Sequence, residues 1–446
     1  MSGLPPGWTR AALSEIGSWV GGGTPSKSIK AFWDGDIPWV SPKDMKSERI
    51  RDAIDHISMD AVEQSATNVV PQGSVLLVTR SGILRHTLPV AVVDREVALN
   101  QDLKALIPAA GISPDYLTWT IGARAQDILH TCSKSGTTVN NLETRRLLAF
   151  KIPIAPAKEQ LRIVAAIEER FSRLDAATGS LSVVERRLDA LQAAALASIS
   201  HEEWPVVRLA EVTESQIYGT SQKASDDAEG VAVLRMGNIQ AGRIDFSKLK
   251  YLPAGHPDVA KLALQPGDIL FNRTNSPELV GKAAVFTGRP EPVIFASYLI
   301  RVRLTSECLP EWAAILVNGP IGRRYIAEVR TQQVGQANVN GTKLSAMPIP
   351  LPPLHEQRRI VADVEERLSM IGAMRATIEV AQRRSEALRR SILARAFQGQ
   401  LVPQDPSDEP ATVLLERIRA ERTERNGPAV QSARKKRDAA LPGRGD

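Results

Sequence analysis

The sequence contains little cysteine, with only Cys132 and Cys308 among its 446 residues. Two cysteines cannot form a disulfide framework or a cysteine-rich zinc site, which favours a reduced, cytoplasmic protein. The sequence also lacks any run of about 18 apolar residues, so we expect no membrane-spanning helix. The first residues, MSGLPPGWTR, do not combine a charged start with an apolar stretch, so we expect no signal peptide.

Excess charge of one sign is also small. The 56 basic residues outnumber the 50 acidic ones by only six, and the sequence pI of about 9.3 hints at a polyanionic partner. The excess is unevenly placed, because segment 1–156 carries +1, segment 204–353 carries +3 and segment 411–446 carries +4. Nucleic-acid binding by the body of the chain must therefore depend on local patches of charge.

Catalytic motifs are missing as well. The stretch VGGGTPSKS (20–28) has Ser26 where a phosphate-binding loop requires glycine before the lysine. In LHEQRR (354–359), Arg359 stands where a zinc-protease motif has its second histidine. The six histidines show no metal-ligand spacing, and neither a nucleophile elbow nor an Asn-Pro-Pro-aromatic motif for amino methylation occurs. These absences predict a binder or scaffold that is not an enzyme and holds no metal.

The chain contains an internal repeat with a period of about 196 residues. Similar segments recur in the same order at four places, which chance does not explain, so the sequence predicts a tandem duplication. The matched segments are WTRAALSEI (8–16) with WPVVRLAEV (204–212), PQGSVLLVTRS (71–81) with QPGDILFNRTN (265–275), Pro114 with Pro310, and KIPIAPAKEQLRIVAAIEERFSRL (151–174) with MPIPLPPLHEQRRIVADVEERLSMI (347–371).

Each copy is predicted to contain a globular part followed by a long helix, which gives an α+β fold with a mixed α/β domain present twice. Short apolar runs between glycines and prolines are typical of strands. These runs are 36–40, 74–79, 89–93, 231–234, 268–271 and 293–302. One helix is expected within each part, near 114–130 and near 310–328. The predicted divisions are 1–156 and 204–353 for the globular domains, 157–203 and 354–400 for the long helices, and 401–446 for a C-terminal helix with a basic tail.

The long helices are predicted to begin after Pro156 and Pro353, since proline suits a first helical turn. Apolar residues then recur mostly every three or four positions, which indicates a coiled-coil seam. The seam covers about 44 residues, or about 66 Å, with weak points at Gly179 and Gly372. Its residues are Ile163, Ile167, Phe171, Leu174, Leu181, Val184, Leu188, Leu191 and Ala195 in the first helix, and Ile360, Val364, Leu368, Ile371, Met374, Ile378, Leu388 and Ile392 in the second.

Two seams of equal length are predicted to bury each other as an antiparallel coiled coil, because one amphipathic helix is not stable alone in water. This arrangement would hold the two globular parts at opposite ends. The alternative is that each helix packs on its own globular part.

Polar loops next to the strands carry the candidate DNA contacts. Arg, Lys, Asn, Gln and Ser side chains read base edges and hold phosphates. The two copies agree in framework but differ in these loops, as two modules with different specificities would. For any single loop, the alternative is a solvated turn. The candidates are Thr24, Ser26, Lys27, Lys30, Ser41, Lys43, Arg80, Ser81, Asn140, Tyr218, Thr220, Ser221, Lys223, Arg235, Asn238, Arg273, Thr274, Asn275, Gln336 and Asn338, with Arg80, Arg235 and Arg273 as predicted base readers.

Three motifs resemble those of the specificity (S) subunit of type I restriction–modification systems. They are GGTPSKSIKAFWDGDIPWVSPKDM (22–45), the two Glu-Gln-x-x-Ile-Val helix starts at 159–164 and 356–361, and LVPQDPSDEPATVLLERIRAER (401–422). The likeness covers roughly residues 5–425. In the second globular part only a Gly-Thr-Ser core of the first motif remains, near 218–226.

The resemblance implies a non-catalytic subunit for phage defence whose globular parts are target recognition domains. Each would read one half of a bipartite site in double-stranded DNA, and the helices would set the gap between the halves. Two modification subunits would bind the chain and carry S-adenosylmethionine for transfer to adenine N6, and two restriction subunits would carry ATP and Mg. No cofactor is expected in this chain. The implied partner contacts are Glu159, Gln160, Arg162, Glu356, Gln357 and Arg359.

Two other interpretations stay open. The chain could be a coiled-coil scaffold that joins two protein partners without reading DNA, because the charge of the globular parts is low. A solitary methyltransferase or nuclease would need an active site that the sequence does not reveal. The C-terminal helix at 411–422 could dock on a partner or on the first domain, and the basic run at 433–438 could contact phosphates or only aid solubility.

Overall fold

The computed structural model describes residues 3–134, 140–197, 199, 204–288, 291–333 and 336–425. The chain divides into two compact units. The first combines residues 1–178 with 382–446, and the second is the continuous segment 179–381. The predicted basic run at 433–438 lies outside the described residues.

The first globular part is built from short strands that end at the glycine- and proline-rich turns of the sequence. Its strands, labelled in chain order, are β1 (Thr9–Ala12), β2 (Gly17–Gly21), β3 (Ile37–Val40), β4 (Arg49–Ile50), β5 (Asp55–Ile57), β6 (Val69–Val70), β7 (Val75–Val78), β8 (Val90–Val93), β9 (Val97–Leu99), β10 (Leu103–Pro108) and β11 (Lys151–Ile154). Its helices are α1 (Met59–Glu63), α2 (Pro114–Ala123), α3 (Ala125–Cys132) and α4 (Thr144–Ala149), with 3-10 turns at Lys30–Trp33 and Gly82–Arg85.

Two sheets and a strand pair organise this part. The larger sheet has the order β2-β10-β7-β8-β4, and the smaller has the order β5-β3-β9-β6, in which β3 and β9 run parallel. All four residues of β7 are buried, as expected for a central strand. β1 and β11 form an antiparallel pair that brings the end of the domain back to its start.

The second globular part is built in the same way. Its strands are β12 (Val206–Arg208), β13 (Thr213–Tyr218), β14 (Val231–Leu234), β15 (Ile239–Gln240), β16 (Arg243–Ile244), β17 (Lys250–Leu252), β18 (Ile269–Asn272), β19 (Thr274–Asn275), β20 (Ala283–Val285), β21 (Val293–Phe295), β22 (Leu299–Leu304), β23 (Thr331–Gln333), β24 (Gln336–Asn338) and β25 (Pro348–Pro350). The long helices are α5 (Ala157–Ala197) and α10 (Leu354–Ala396). The remaining helices are α6 (Pro257–Leu262), α7 (Pro310–Asn318), α8 (Pro320–Val329), α9 (Gly341–Ser345) and α11 (Ala411–Arg425), with 3-10 turns at Leu209–Val212 and Met236–Asn238.

The topology of the first part recurs in the second. The order β13-β22-β18-β20 corresponds to β2-β10-β7-β8, and β17-β14-β21 corresponds to β5-β3-β9. The parallel pair also recurs, as β14 with β21, and β12 pairs with β25 as β1 does with β11. The predicted tandem duplication of a mixed α/β domain is therefore confirmed.

The single helix predicted near the middle of each globular part is in fact two helices. In the second part, Pro320 favours an extended conformation at Gly319 (φ −81°, ψ −178°), which ends α7 and starts α8. In the first part, Arg124 (φ −102°, ψ 10°) separates α2 from α3. The sequence pattern missed both breaks because the apolar spacing continues across them.

The long helices pack against each other in antiparallel directions, as predicted. In the first unit, the Arg389 guanidinium forms an ion pair with Asp175 and lies 4.7 Å from the ring centroid of Phe171. The hydroxyl groups of Thr178 and Ser385 are 3.5 Å apart. From one contact to the next, the residue number increases along α5 and decreases along α10, which shows that the two helices run in opposite directions.

The same direction holds in the second unit. Arg375 of α10 donates to Asp189 of α5 at 2.6 Å. Leu188, Ile371 and Ile378 form a small apolar cluster between the two helices. Of the helices in the described ranges, none is both long and apolar enough to cross a membrane.

The predicted seam is only partly a contact between helices. Ile163, Ile167 and Phe171 belong to the core of the first globular part, and Val364 belongs to that of the second. Four other seam residues are at least 39% exposed, namely Val184, Leu191, Met374 and Leu388. The alternative, in which a helix packs on its own globular part, is therefore correct for the first turns. A straight helix has 3.6 residues per turn, so a stripe with a shorter period drifts around it.

The C-terminal segment packs on the first globular part. Ala411 N donates to Gly7 O at 2.8 Å, at the start of α11. Arg419 of α11 pairs with Glu15 at 2.7 Å, and four apolar residues of α11 join the core of this part. They are Ala411, Leu414, Leu415 and Ile418. Of the two predicted docking sites for this helix, the structure shows the first domain.

A buried glutamine ties each long helix to its globular part. Gln357 is fully buried, and its Oε1 accepts from Leu309 N at 2.8 Å. Its Nε2 donates to the carbonyl oxygens of Glu307 (3.0 Å) and Pro352 (2.8 Å). Gln160, also fully buried, accepts from Ser113 N at 2.9 Å in the first unit. The tie therefore joins the first turn of each long helix to the residue that precedes α2 or α7.

We expect Gln357→Ala to destabilise the second unit by about 2–4 kcal/mol, because it leaves three main-chain groups, of which the carbonyl group of Pro352 is buried, without their partner. The midpoint of thermal unfolding of the full-length chain should fall by several degrees. The matched control is His355→Ala, two residues earlier and exposed, for which we expect a change within about 0.5 kcal/mol. Equal effects of the two substitutions would contradict the role of the glutamine tie.

Candidate nucleic-acid interface

The turn after β9 is the centre of the first group of predicted DNA contacts. We define the first loop cluster as residues 22–30, 41–44, 80–81, 100–102 and 140–141. Asn100 N donates to Val40 O at 2.9 Å, which joins this turn to the end of β3. Gly22 packs so closely on the turn that a Cβ there would overlap the carbonyl oxygen of Asn100. The glycine-rich sequence therefore serves close backbone approach.

Four predicted contacts meet at this turn. The side chain of Thr24 hydrogen bonds to Gln101. Arg80 N donates to Asp102 O at 3.2 Å, and its Nε donates to Asp102 Oδ1 at 2.6 Å. Ser81 N donates to Asn140 O at 3.1 Å, which brings the last loop of the cluster to the same place.

The lysines of the first loop cluster are exposed. Lys27 and Lys30 follow Thr24 on one loop, which Trp33 holds by donating from Nε1 to Ser26 O at 3.1 Å. Lys43 lies on the loop after β3 and is also exposed. Ammonium groups at such positions suit phosphate contacts.

Ser41 does not fit its predicted role. Its side chain is buried, and both its N and Oγ donate to Asp44 Oδ2 at 2.8 Å. These bonds close the turn after β3, so the side chain of Ser41 shapes the loop.

The second group of predicted contacts surrounds the equivalent turn. We define the second loop cluster as residues 218–223, 235–238, 273–275, 296–298 and 336–338. The sequence predicted one strand over 293–302, but the structure divides it at this turn into β21 and β22. Gly219 packs on the turn as Gly22 does, since a Cβ there would overlap the carbonyl oxygen of Ala296.

The two clusters share one set of hydrogen bonds that are donated by main-chain N–H groups. In each, one bond closes the turn, one joins it to a strand end, one joins it to the arginine, and one forms a cap after the strand. The matched bonds are Leu103 N to Asn100 O (3.1 Å) with Leu299 N to Ala296 O (2.9 Å), Asn100 N to Val40 O (2.9 Å) with Ala296 N to Leu234 O (2.8 Å), Arg80 N to Asp102 O (3.2 Å) with Arg273 N to Tyr298 O (3.0 Å), and Ser41 N to Asp44 Oδ2 (2.8 Å) with Arg235 N to Asn238 Oδ1 (2.9 Å).

The arginines of the second cluster have different surroundings. The Arg273 guanidinium lies 5.1 Å from the ring centroid of Tyr218, and its Nη1 donates to Ser297 O at 3.2 Å. Arg235 lines a cavity of about 200 Å³ with Ser221 and Tyr298. A guanidinium held against an aromatic ring keeps its planar donors oriented, which suits recognition of a base edge.

Two further predicted DNA contacts, Thr220 and Asn238, are buried and hydrogen bond within the protein. Thr220 is buried and its side chain bonds to Asp258. Asn238 is buried, caps Arg235 N, and donates to Asp245 O at 2.8 Å. Both side chains therefore shape the loops of the second cluster.

The remaining candidates lie on β19, on β24 and on the loop after β13. Asn338 donates to Thr274 Oγ1 at 2.7 Å, where β24 pairs with β19. Asn275 is half-buried beside this pair, and Gln336 is exposed at the other end of β24. Lys223 is exposed on the loop after β13.

Sequence reasoning missed the side chains of the two turns. Gln101 and Tyr298 are exposed, with Tyr298 at 47%, and Asp102 contacts Arg80 directly. A signal was present, because Ser297 and Tyr298 interrupt the apolar run 293–302 with polar groups. The whole segment was predicted to be a single strand.

Three of the six predicted partner contacts are buried and cannot form a surface. Gln160 and Gln357 make the glutamine ties, and Glu159 is 1% exposed and accepts from Trp8 Nε1 at 3.0 Å. Burial raises the pKa of Glu159, although the bond from Trp8 opposes this.

The other three predicted partner contacts remain accessible. Arg162 is partly exposed and donates to the buried carboxylate of Asp408 at 2.6 Å. Arg359 is largely exposed and pairs with Glu356 at 2.8 Å. In the described ranges, no group of three or more His, Cys, Asp or Glu is placed to hold a metal ion.

The chain matches known proteins in sequence. Residues 5–186 and 201–376 match the model of the type I restriction modification DNA specificity domain. The chain is 42% identical over 171 residues to the EcoR124I/EcoR124II specificity subunit of Escherichia coli, a match that covers 38% of this chain and 41% of that protein. It is 24% identical over 468 residues to the StySPI specificity subunit of Salmonella potsdam, covering 97% and 99%. The chain thus spans less than half of the first relative and nearly all of the second.

Solved structures share the fold. One of these structures concerns complex assembly and conformational transition of the type I R-M system. A chain of it superposes on this chain with a TM-score of 0.69 at 18% identity. The match covers 90% of this chain and 100% of that chain. The HsdS subunit from Thermoanaerobacter tengcongensis has a TM-score of 0.50 at 19% identity, with 89% and 98% covered.

The raised pKa of Glu159 predicts how stability changes with pH. A carboxyl whose pKa is higher in the folded state binds its proton more tightly there, so the unfolding free energy falls as pH rises above the ordinary value of 4.5. Glu159→Gln keeps an acceptor for Trp8 and removes this charge. We therefore expect the variant to gain stability relative to the wild type between about pH 4.5 and neutrality.

Thermal unfolding of the full-length chain measured from pH 4.5 to 8 checks this expectation. The matched control is Glu168→Gln, an exposed glutamate on the same helix, which should leave the pH dependence unchanged. A constant difference between wild type and Glu159→Gln across this range would contradict the role of burial.

Proposed function

The chain belongs to the family of type I restriction modification DNA specificity domains and is a type I specificity subunit. From this premise we propose that it reads a bipartite DNA target. Each loop cluster would read one half of the site. The observation that carries the proposal is the shared set of main-chain bonds, on which the two clusters present different side chains. Two loop clusters with the same backbone arrangement and different exposed side chains suit a target whose two halves differ in sequence.

The side chains divide by their chemistry. Arg80, Arg235 and Arg273 are each held by main-chain or side-chain partners within a cluster, which suits bidentate recognition of guanine. The exposed lysines of the first cluster have no such fixed geometry and suit phosphates, which position the protein without reading sequence. Recognition would thus depend on a few oriented donors, in keeping with the small net charge.

Assembly with other subunits is the second part of the proposal. Two modification subunits and two restriction subunits would join the chain in the cytoplasm, and S-adenosylmethionine, ATP and Mg would belong to them. The chain itself would be non-catalytic, with the long helices setting the gap between the half-sites. Because Glu159, Gln160 and Gln357 are buried, accessible residues such as Arg162, Glu356 and Arg359 would make the contacts.

We expect Arg273→Ala to relax base preference in one half-site by about tenfold, since a bidentate contact is worth about 1–3 kcal/mol. The other half-site should be unchanged, because it would be read by the first loop cluster, where Arg80 is untouched. The measurement is selection from a random duplex library by the full-length chain together with its methyltransferase subunit. Arg324→Ala is the matched control, since Arg324 is exposed on α8 outside the second loop cluster.

Other outcomes separate the alternatives. Equal loss of binding to random DNA and to both half-sites would make Arg273 a phosphate contact. If the wild-type complex selects no sequence at all, the scaffold that joins partners without reading DNA replaces this proposal.

A further inference from the structure

The turn of the first loop cluster does more than close the loop, because it also holds a base-reading candidate. Arg80 donates from Nε to Asp102 Oδ1 at 2.6 Å, while about half of its side chain stays exposed. An ion pair through Nε alone engages one of the five N–H donors of a guanidinium. Among the described residues no acceptor meets the two terminal Nη groups, which carry the other four.

Asp102 is itself fixed by main-chain bonds. Its N donates to Asn100 Oδ1 at 2.7 Å, and its carbonyl oxygen accepts from Thr79 N at 2.8 Å and Arg80 N at 3.2 Å. A carboxylate on so constrained a turn restricts the side chain that it binds. An arginine restricted before binding loses less conformational freedom when it meets its target.

The second cluster orients its arginine by other means. Tyr298 occupies the position of Asp102, since its carbonyl oxygen accepts from Arg273 N as that of Asp102 accepts from Arg80 N. Arg273 is held by the ring of Tyr218 and by Ser297 O. Both clusters thus have an arginine at the same position of the backbone arrangement. An aspartate holds it in the first cluster, and a tyrosine ring and a carbonyl oxygen hold it in the second.

We infer that Asp102 is a positioning residue, which directs the terminal Nη groups of Arg80 toward O6 and N7 of a guanine in one half-site. The inference rests on the proposed function and adds a residue that acts only through Arg80. The opposing possibility is that Asp102 neutralises Arg80. In that case its removal would strengthen binding to all DNA, since a cation freed from its carboxylate attracts phosphates of any sequence.

The test uses the full-length chain with its methyltransferase subunit and a random duplex library. Asp102→Asn keeps the size of the side chain and removes its charge. We expect preference for one guanine in one half-site to fall at least fivefold, with the other half-site unchanged. Arg80→Ala should relax the same position, and the double variant should resemble Arg80→Ala alone, because the aspartate acts through the arginine.

The matched control is Asp94→Asn. Asp94 forms an equally short ion pair with Arg49, at 2.6 Å, outside the first loop cluster, and its substitution should leave the selected motif unchanged. Additive effects of Asp102→Asn and Arg80→Ala, an unchanged motif, or uniformly stronger binding would each overturn the inference while leaving the proposed function intact. A wild-type complex that selects no motif would overturn both.

Discussion

Both halves of the molecule depend on the contact between a glycine-bearing loop and a turn at the end of a buried strand. Gly22 lies against the carbonyl oxygen of Asn100, and Gly219 lies against that of Ala296. A side chain at either glycine would occupy the space of that oxygen, and the loop would have to lift from the turn. Only main-chain atoms and glycine make this contact, so the exposed side chains around it can differ while the backbone stays the same.

The features predicted correctly from the sequence depend on repetition and on local chemistry. Pro156 and Pro353 marked the starts of α5 and α10, since proline in a first turn needs no partner for a missing N–H. The features missed depend on residues distant in sequence. Gln160 looks like a surface residue of a helix, but it is buried and accepts a hydrogen bond from Ser113 N, 47 positions earlier. The candidate DNA contacts show the same limit, because the pattern selected Ser41 by residue type while its bonds to Asp44 close a turn.

The small net charge of the globular parts agrees with the way their arginines are held. A protein that binds DNA mainly through excess positive charge attracts phosphates of any sequence. Here Arg80 shares its charge with Asp102, and Arg273 lies over an aromatic ring. The ion pair of Arg80 weakens long-range attraction to phosphates, and both contacts give the N–H groups a defined direction. The two halves can therefore be selective without being strongly basic.

The placement of the C-terminal segment has a consequence for the order in which the chain folds during synthesis. The second unit is one continuous segment, so all of its contacts become available once residue 381 has left the ribosome. Synthesis of the first unit starts earlier and finishes later. Gly7 O accepts from Ala411 N, and Arg162 donates to Asp408, so these bonds can form only after the C-terminal segment has been made. Closing contacts over some 250 to 400 residues is slow, since the loop entropy must be overcome first. The part of the protein made first is thus the part completed last.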